Sequence, residues 1–176
     1  NRRLRALDLP PIHWNAMLWT AEPAPMLKDA GFHSTTSYNI ASGGTAVDLV
    51  EKYEHVMAAH RTHWRKMAEA PLPHIPNVTM GWDVTPRCEK DVPWPFPPSP
   101  LTGKWDYPYG HCVVDNTPER YRQLCTWARE HIAQDPARPF AVMLNAWNEW
   151  TEGSYLLPEK RTGLAYLEAV RSAFAI

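Results

Sequence analysis

What the 176-residue sequence lacks sets its class before any motif is read. No apolar run approaches the roughly 20 residues that a membrane-spanning helix needs, and nothing at the start reads as a cleavable signal, so membrane insertion is not expected. Neither charge is in excess. The 18 Lys and Arg face 19 Asp and Glu, a formal net charge of -1, and no basic stripe is present that could track phosphates, which argues against a nucleic-acid partner. The three cysteines, Cys88, Cys112 and Cys125, have neither an even count nor ligand-like spacing, so no disulfide framework or zinc site is expected and buried or idle thiols are. A glycine-rich, phosphate-cradling loop is also missing.

What is present suits one packed domain, or a piece of one, because 44% of the residues are hydrophobic. The sequence opens on Asn1 and reads as cut from a longer chain; a soluble, cytoplasmic setting is the expectation. The 18 prolines and 9 tryptophans stand out, and that many indoles invite a stacking role beside packing.

Residues 1–29 form an N-terminal segment with no assigned place. "GFHSTTSYN" at 31–39 follows a glycine and is rich in Ser, Thr, Phe and Tyr, which predicts a strand. From Val47 to Met67, Val50, Tyr53, Met57, Trp64 and Met67 recur at helical spacing or its multiples, while Glu51, Lys52, Glu54, Arg61 and Lys66 face elsewhere. After "PLPHIP", "NVTMGWD" at 77–83 is a second short strand ending in Trp82 and Asp83. A proline-studded loop at 84–117 follows, too long and, with Trp94, Phe96, Trp105, Tyr107 and Tyr109, too aromatic for a plain linker. Thr117 as N-cap with Pro118 at the first helical position opens a helix whose apolar face is Tyr121, Leu124, Cys125, Ala128 and Ile132. "PFAVMLNAW" at 139–147 predicts a strand buried on both faces. A closing helix follows, with Leu164, Leu167, Val170 and Phe174 as its buried stripe.

Strands alternating with helices imply parallel strands and crossovers, and sites on such sheets sit at the carboxyl ends of the strands. Tyr38, Trp82, Asp83, Asn148, Glu149 and Glu152 all fall there. About three βα units are visible where a closed (β/α)8 barrel needs eight and about 250 residues. The expected architecture for residues 30–176 is therefore the C-terminal portion of such a TIM-type barrel. Its open edges call for the missing N-terminal half of the barrel or a second copy of the chain.

"NAWNEWTEGSY" at 145–155 places Glu149 and Glu152 three positions apart. Glycosidic bonds are usually cleaved or formed by two carboxyl groups, one handling the proton on the leaving oxygen and one assisting at the sugar. An i,i+3 spacing on a helical turn brings Cβ atoms to roughly 5 to 6 Å, compatible with the separation in retaining enzymes. Trp147 and Trp150 could stack on a sugar ring and exclude water, Asn148 could donate to a hydroxyl, and Gly153 permits close backbone approach. Capping, salt bridging or plain solvation are the competing explanations of the pair.

"NAWNEWTEGSYLLP" followed by "TGLAYLEAV" closely resembles the WbsX-like glycosyltransferase group, associated with bacterial polysaccharide and lipopolysaccharide biosynthesis and related to glycoside hydrolase family 99. "SYN" at 37–39, "PHIPNVTMGWDVTPR" at 73–87 and "NTPERY" at 116–121 resemble its blocks in the same order. The related hydrolases are (β/α)8 barrels acting on α-mannosidic linkages with retention. The resemblance implies that Glu149 is the base helping the sugar's own 2-hydroxyl to attack, giving a 1,2-anhydro intermediate, and that Glu152 is the general acid and then base. It implies no metal and no cofactor. Asp83 and Arg87 lie in the matching "GWDxTPR" block, where sugar binding and mutual bracing of the loop are both open. Tyr38, Trp82, Trp147, Asn148, Trp150 and Tyr155 complete the expected substrate-binding set. Where the family reads Y-L-E-P-D, this chain has Leu157, which leaves a substrate contact, and hence the substrate, in question.

Three functions follow: a retaining glycoside hydrolase acting on α-mannoside-like linkages of an oligo- or polysaccharide, a glycosyltransferase of polysaccharide biosynthesis, and a non-catalytic carbohydrate-binding fragment with Trp82, Trp94 and Trp105 as stacking platforms. The missing phosphate-cradling loop favours hydrolysis over transfer from an activated donor. His60 and His63, three apart, could hold a metal; the preferred placement has His60 beside the apolar face and His63 in solvent.

Overall fold

A computed structural model describes residues 2–40, 50–87, 111–135 and 141–175. Its elements run α1 (Arg2–Ala6), β1 (Asn15–Met17), α2 (Ala24–Asp29), β2 (Ser34–Thr36), β3 (Val50–Lys52), α3 (Tyr53–Ala68), β4 (His74–Ile75), β5 (Asn77–Thr79), a 3-10 turn (Thr85–Arg87), β6 (Cys112–Val114), α4 (Pro118–Ala133), β7 (Met143–Asn145), β8 (Asn148–Glu149), a second 3-10 turn (Trp150–Glu152), β9 (Ser154–Tyr155) and α5 (Ala165–Phe174).

The main ladders are parallel. β1 pairs with β2 and β2 with β4, in register Ala16–Thr35–His74, and β5 pairs with β7, in register Val78–Leu144. Only Pro76 separates β4 from β5, and its carbonyl accepts from Met143 N–H at 2.9 Å, so one bent stretch hands pairing from β2 on one side to β7 on the other. The order β1, α2, β2, α3, β4–β5, α4, β7, α5 amounts to four strand–helix repeats rather than about three. The additional unit is β1–α2, in the segment that the sequence left unassigned. β1 is missed because "NAM" is short and carries no alternation.

Helix α4 forms as its cap and apolar stripe dictate, and α3 as its stripe does. Thr117 caps α4 by accepting from Arg120 N–H at 3.4 Å, with Pro118 behind it, and Tyr121, Leu124, Cys125, Ala128 and Ile132 are all buried. On α3, Tyr53, Val56, Met57, His60, Trp64 and Met67 are buried. The two faces meet over β5: Trp64 Nε1 donates to Asn77 O at 3.2 Å, and Val78 is fully buried among Val56, Trp64, Leu124 and Ala128 in the core cluster. Burying a side chain of this size contributes roughly 1.5–3 kcal/mol.

Several sequence expectations are corrected. The stretch expected to be helical from Val47 begins its helix at Tyr53, because Val50–Lys52 pair in parallel with Cys112–Val114. That pairing exposes Val50 and buries Glu51, the reverse of a helical projection, and Glu51 Oε2 lies 3.4 Å from His111 Nε2. The strand expected to be buried on both faces is β7, paired on one side only among the described residues, with Met143 exposed. The buried stripe of α5 is Tyr166, Ala169 and Ala173; Leu167, Val170 and Phe174 are half-buried against the core, and Leu164, just before the helix, is exposed. His60 is wholly buried rather than bordering the apolar face, and His63 is half-buried, its Nε2 2.8 Å from Ser37 Oγ, rather than in solvent. Cys88 and the loop aromatics Trp94, Phe96, Trp105, Tyr107 and Tyr109 lie outside the described residues. Among the described residues no helix is long and apolar enough to cross a membrane.

Candidate active site

The two acids sit where β7 ends. From Asn145 the chain passes through Ala146 and Trp147 into an antiparallel hairpin, β8 against β9, whose connection is the 3-10 turn Trp150–Glu152. Glu149 immediately precedes that turn and Glu152 ends it. Glu149 itself is not helical, at φ -80 and ψ 67, so only Glu152 of the two lies within the turn. Gly153 leaves the turn at φ 59, a left-handed conformation that favours glycine.

The hairpin is tied down by main-chain contacts. Ser154 Oγ donates to Asn145 O and Oδ1 at 3.1 and 3.0 Å, and Met80 N–H donates to the same carbonyl at 3.1 Å. Tyr155 N–H donates to Met80 Sδ at 2.9 Å, and Asp83 N–H to Glu152 O at 2.7 Å. A Cβ on Gly153 would lie 2.6 Å from Asp83 Cβ, so only glycine lets the two segments meet this closely.

Asp83 and Arg87, expected from the sequence, come to the acids from the segment after β5. Asp83 Oδ1 accepts from Thr85 N–H at 2.9 Å, Thr85 Oγ1 at 2.7 Å and Cys112 Sγ at 3.3 Å. Burial pushes the Asp83 carboxyl up, and the Thr85 and Cys112 hydrogen bonds outweigh it, leaving the group below its ordinary range. Arg87 Nη1 donates to Glu152 Oε1 at 3.2 Å, so one role of this block is to brace the hairpin.

The aromatic residues divide. Trp150 and Tyr155 stack with ring centroids 4.0 Å apart, and Trp147 and Trp150 expose 56% and 43% of their surface, enough to present a face to a ligand. Trp82 is only 9% exposed and belongs to the core cluster, and it also contributes to the wall of a cavity beside the hairpin. Asn148 is exposed beside Glu149, and Tyr38 stands half-buried two residues past the end of β2.

Residues that sequence reasoning missed include Met80, Cys112, Asn145 and Ser154. Their contacts join distant segments and leave no local pattern. Thr85 alone had a signal: an acid accepting from the backbone two residues on is an Asx turn, legible in "DVT".

Parallel strands, crossover helices and an acid-bearing hairpin at the strand ends can be set beside known proteins. Residues 104–170 match the family model described as "Glycosyltransferase WbsX", over the block where the resemblance is densest. The chain is 34% identical over 118 residues to "Uncharacterized protein WxcX" from two strains of Xanthomonas campestris pv. campestris, a stretch covering 62% of this chain and 14% of the relative. The fold is similar to that of the GH99 endo-alpha-mannosidase from Bacteroides thetaiotaomicron, with a TM-score of 0.54 at 14% identity for the form bound to bis-tris-propane. A second structure of that enzyme gives 0.53 at 15%. Each likeness spans 93% of this chain but only 45% and 43% of the mannosidase chains. The chain thus spans less than half the length of the structures it resembles and about one-seventh of the curated relatives it matches.

Proposed function

We propose that this chain is the C-terminal part of a (β/α)8 carbohydrate-active enzyme, a retaining glycoside hydrolase cleaving α-mannoside-like linkages of a polysaccharide with Glu149 and Glu152. What supports the proposal is one hairpin after β7 that carries Glu149 just before, and Glu152 at the end of, a braced turn, beside exposed indoles. Glu149 assists the sugar's 2-hydroxyl as base, and Glu152 protonates the leaving oxygen and then activates water. Trp147, Asn148, Trp150, Tyr155 and Tyr38 line the sugar's path; Asp83 and Arg87 hold the acid turn. The remaining strands come from the portion of the barrel outside this chain.

The family match favours a second reading, transfer to a sugar acceptor by the same acids. Incubating the full-length protein with α-manno-oligosaccharides and following free sugar against elongated product separates the two. Glu149→Gln and Glu152→Gln should each lower turnover by about 10²-fold or more while sugar binding persists. Unchanged turnover in either variant removes that residue from the mechanism.

A further inference from the structure

Beside the acid hairpin lies a cavity of about 320 Å³, at the small end of the size range for ligand sites. It is enclosed by three strand-end segments: Asp83 after β5, Asp115 and Asn116 after β6, and Tyr155, Glu159 and Arg161 from β9 onward. Its wall includes Gly153, the neighbour of Glu152, so an occupant sits directly against the acid turn.

We propose that this cavity is a single-sugar subsite that accepts a neutral, hydroxyl-rich unit and rejects an anionic one. The proposal rests on the carbohydrate reading above and adds to it a selectivity that the acids themselves do not supply. Size limits the occupant to one ring or slightly more. Chemistry favours hydroxyls: the lining combines acidic residues and Arg161 with the aromatic residues Trp82, Tyr155 and Tyr166, the mixture that a sugar's polar edge and apolar face require. Glu159 is already fixed in place, since Oε1 accepts from Thr162 N–H and Oγ1 and Oε2 accepts from Arg161 N–H, all at 2.6 Å. A carboxylate offers about four acceptor positions, so it can still take a hydroxyl.

Charge supplies the discrimination. Among the described residues, three acidic residues, Asp83, Asp115 and Glu159, line the space against one guanidinium, Arg161. Arg120, 3.8 Å from Asp115 Oδ2, offsets part of the excess from outside the lining. A uronate or phosphate-bearing unit would meet like charge from Asp83, Asp115 and Glu159, which disfavours it relative to a neutral unit.

The test uses the full-length protein carrying Glu149→Gln and Glu152→Gln, so that bound sugar is not consumed. Calorimetry compares a neutral α-manno-oligosaccharide with the same oligosaccharide after oxidation of its primary alcohols to carboxylates. The neutral probe should bind at least about tenfold more tightly. In the same background Asp115→Asn should narrow that ratio and Arg161→Ala should weaken neutral binding about fivefold or more; both residues are exposed, and the melting temperature reports whether either variant is misfolded. Equal binding of the two probes, binding of neither, or indifference to both substitutions overturns the subsite. Turnover by the unmodified protein is measured separately. Binding without turnover keeps the subsite and removes the enzyme, whereas turnover with no effect of either substitution does the reverse.

Discussion

Arg87 Nη1 reaches Glu152 Oε1 across 3.2 Å, joining two residues 65 positions apart in the chain. The pair is largely shielded, with 20% of the arginine and 12% of the glutamate side chain exposed. It fastens the segment after β5 to the acid turn.

Removing the guanidinium should therefore be felt in stability as well as in turnover. Arg87→Met is expected to cost about 1.5–3 kcal/mol, the range for a hydrogen bond to a charged group. Arg87→Lys should recover part of it, because the contact is a single hydrogen bond to Glu152 Oε1 that an ammonium can also donate. Urea midpoints of the two variants check this; a midpoint of Arg87→Met equal to that of the parent would show that the pair contributes nothing net.

Gly153→Ala should be more damaging than its size suggests. The residue has φ 59, and the added methyl would lie 2.6 Å from Asp83 Cβ and 2.8 Å from Asp83 N. The left-handed backbone costs about 1–2 kcal/mol for an alanine, before the steric term is counted. Thermal unfolding should show a clear loss, together with loss of amide-exchange protection at Asp83, whose N–H donates to Glu152 O.

The hydroxyl of Ser154 is buried and donates to both oxygens of Asn145. Ser154→Ala leaves the Asn145 side-chain oxygen without this donor and should cost about 1–2 kcal/mol. Ser154→Thr, which keeps the hydroxyl, should retain more turnover than Ser154→Ala at matched fractions folded. Equal turnover in the two variants would mean that the hydroxyl does not hold the acid turn.

His60 links stability to pH. Its ring is fully buried, Nε2 accepts from Thr79 N–H at 3.1 Å, and Nδ1 therefore carries the proton that it donates to Val56 O at 2.8 Å. Burial lowers its pKa to about 4 against the opposing pull of the Val56 carbonyl. The unfolded chain takes up a proton near pH 6.5 and the folded chain only near 4, so stability is full above 6.5 and falls as pH drops through that window. The loss reaches roughly 3 kcal/mol for this one group. His63, lowered by burial and then by Lys66, acts in the same direction. Denaturation midpoints at pH 7, 5.5 and 4 should decline in the parent and decline less in His60→Gln.

Helix α4 was fully legible, because Thr117, Pro118 and a clean apolar face are local signals. So was the position of the acids at a strand end, since "NAWNEWTEGSY" carries both its strand and its turn. The β3–β6 pair was not, because Val50–Lys52 reads as the start of a helix until Cys112–Val114 arrive to pair with it. Trp82 shows the limit for aromatics: an indole beside an aspartate at a strand end looks the same whether it faces a ligand or the core. Only packing against residues far along the chain decides.

The ties that hold the acid turn run through the backbone and through Ser154, Met80 and Arg87, and none uses the Glu149 side chain among the contacts described. Replacing that glutamate should leave the hairpin seated. The two acids therefore differ in kind: the side chain at 152 is part of the framework through Arg87, whereas the one at 149 can change without unseating it.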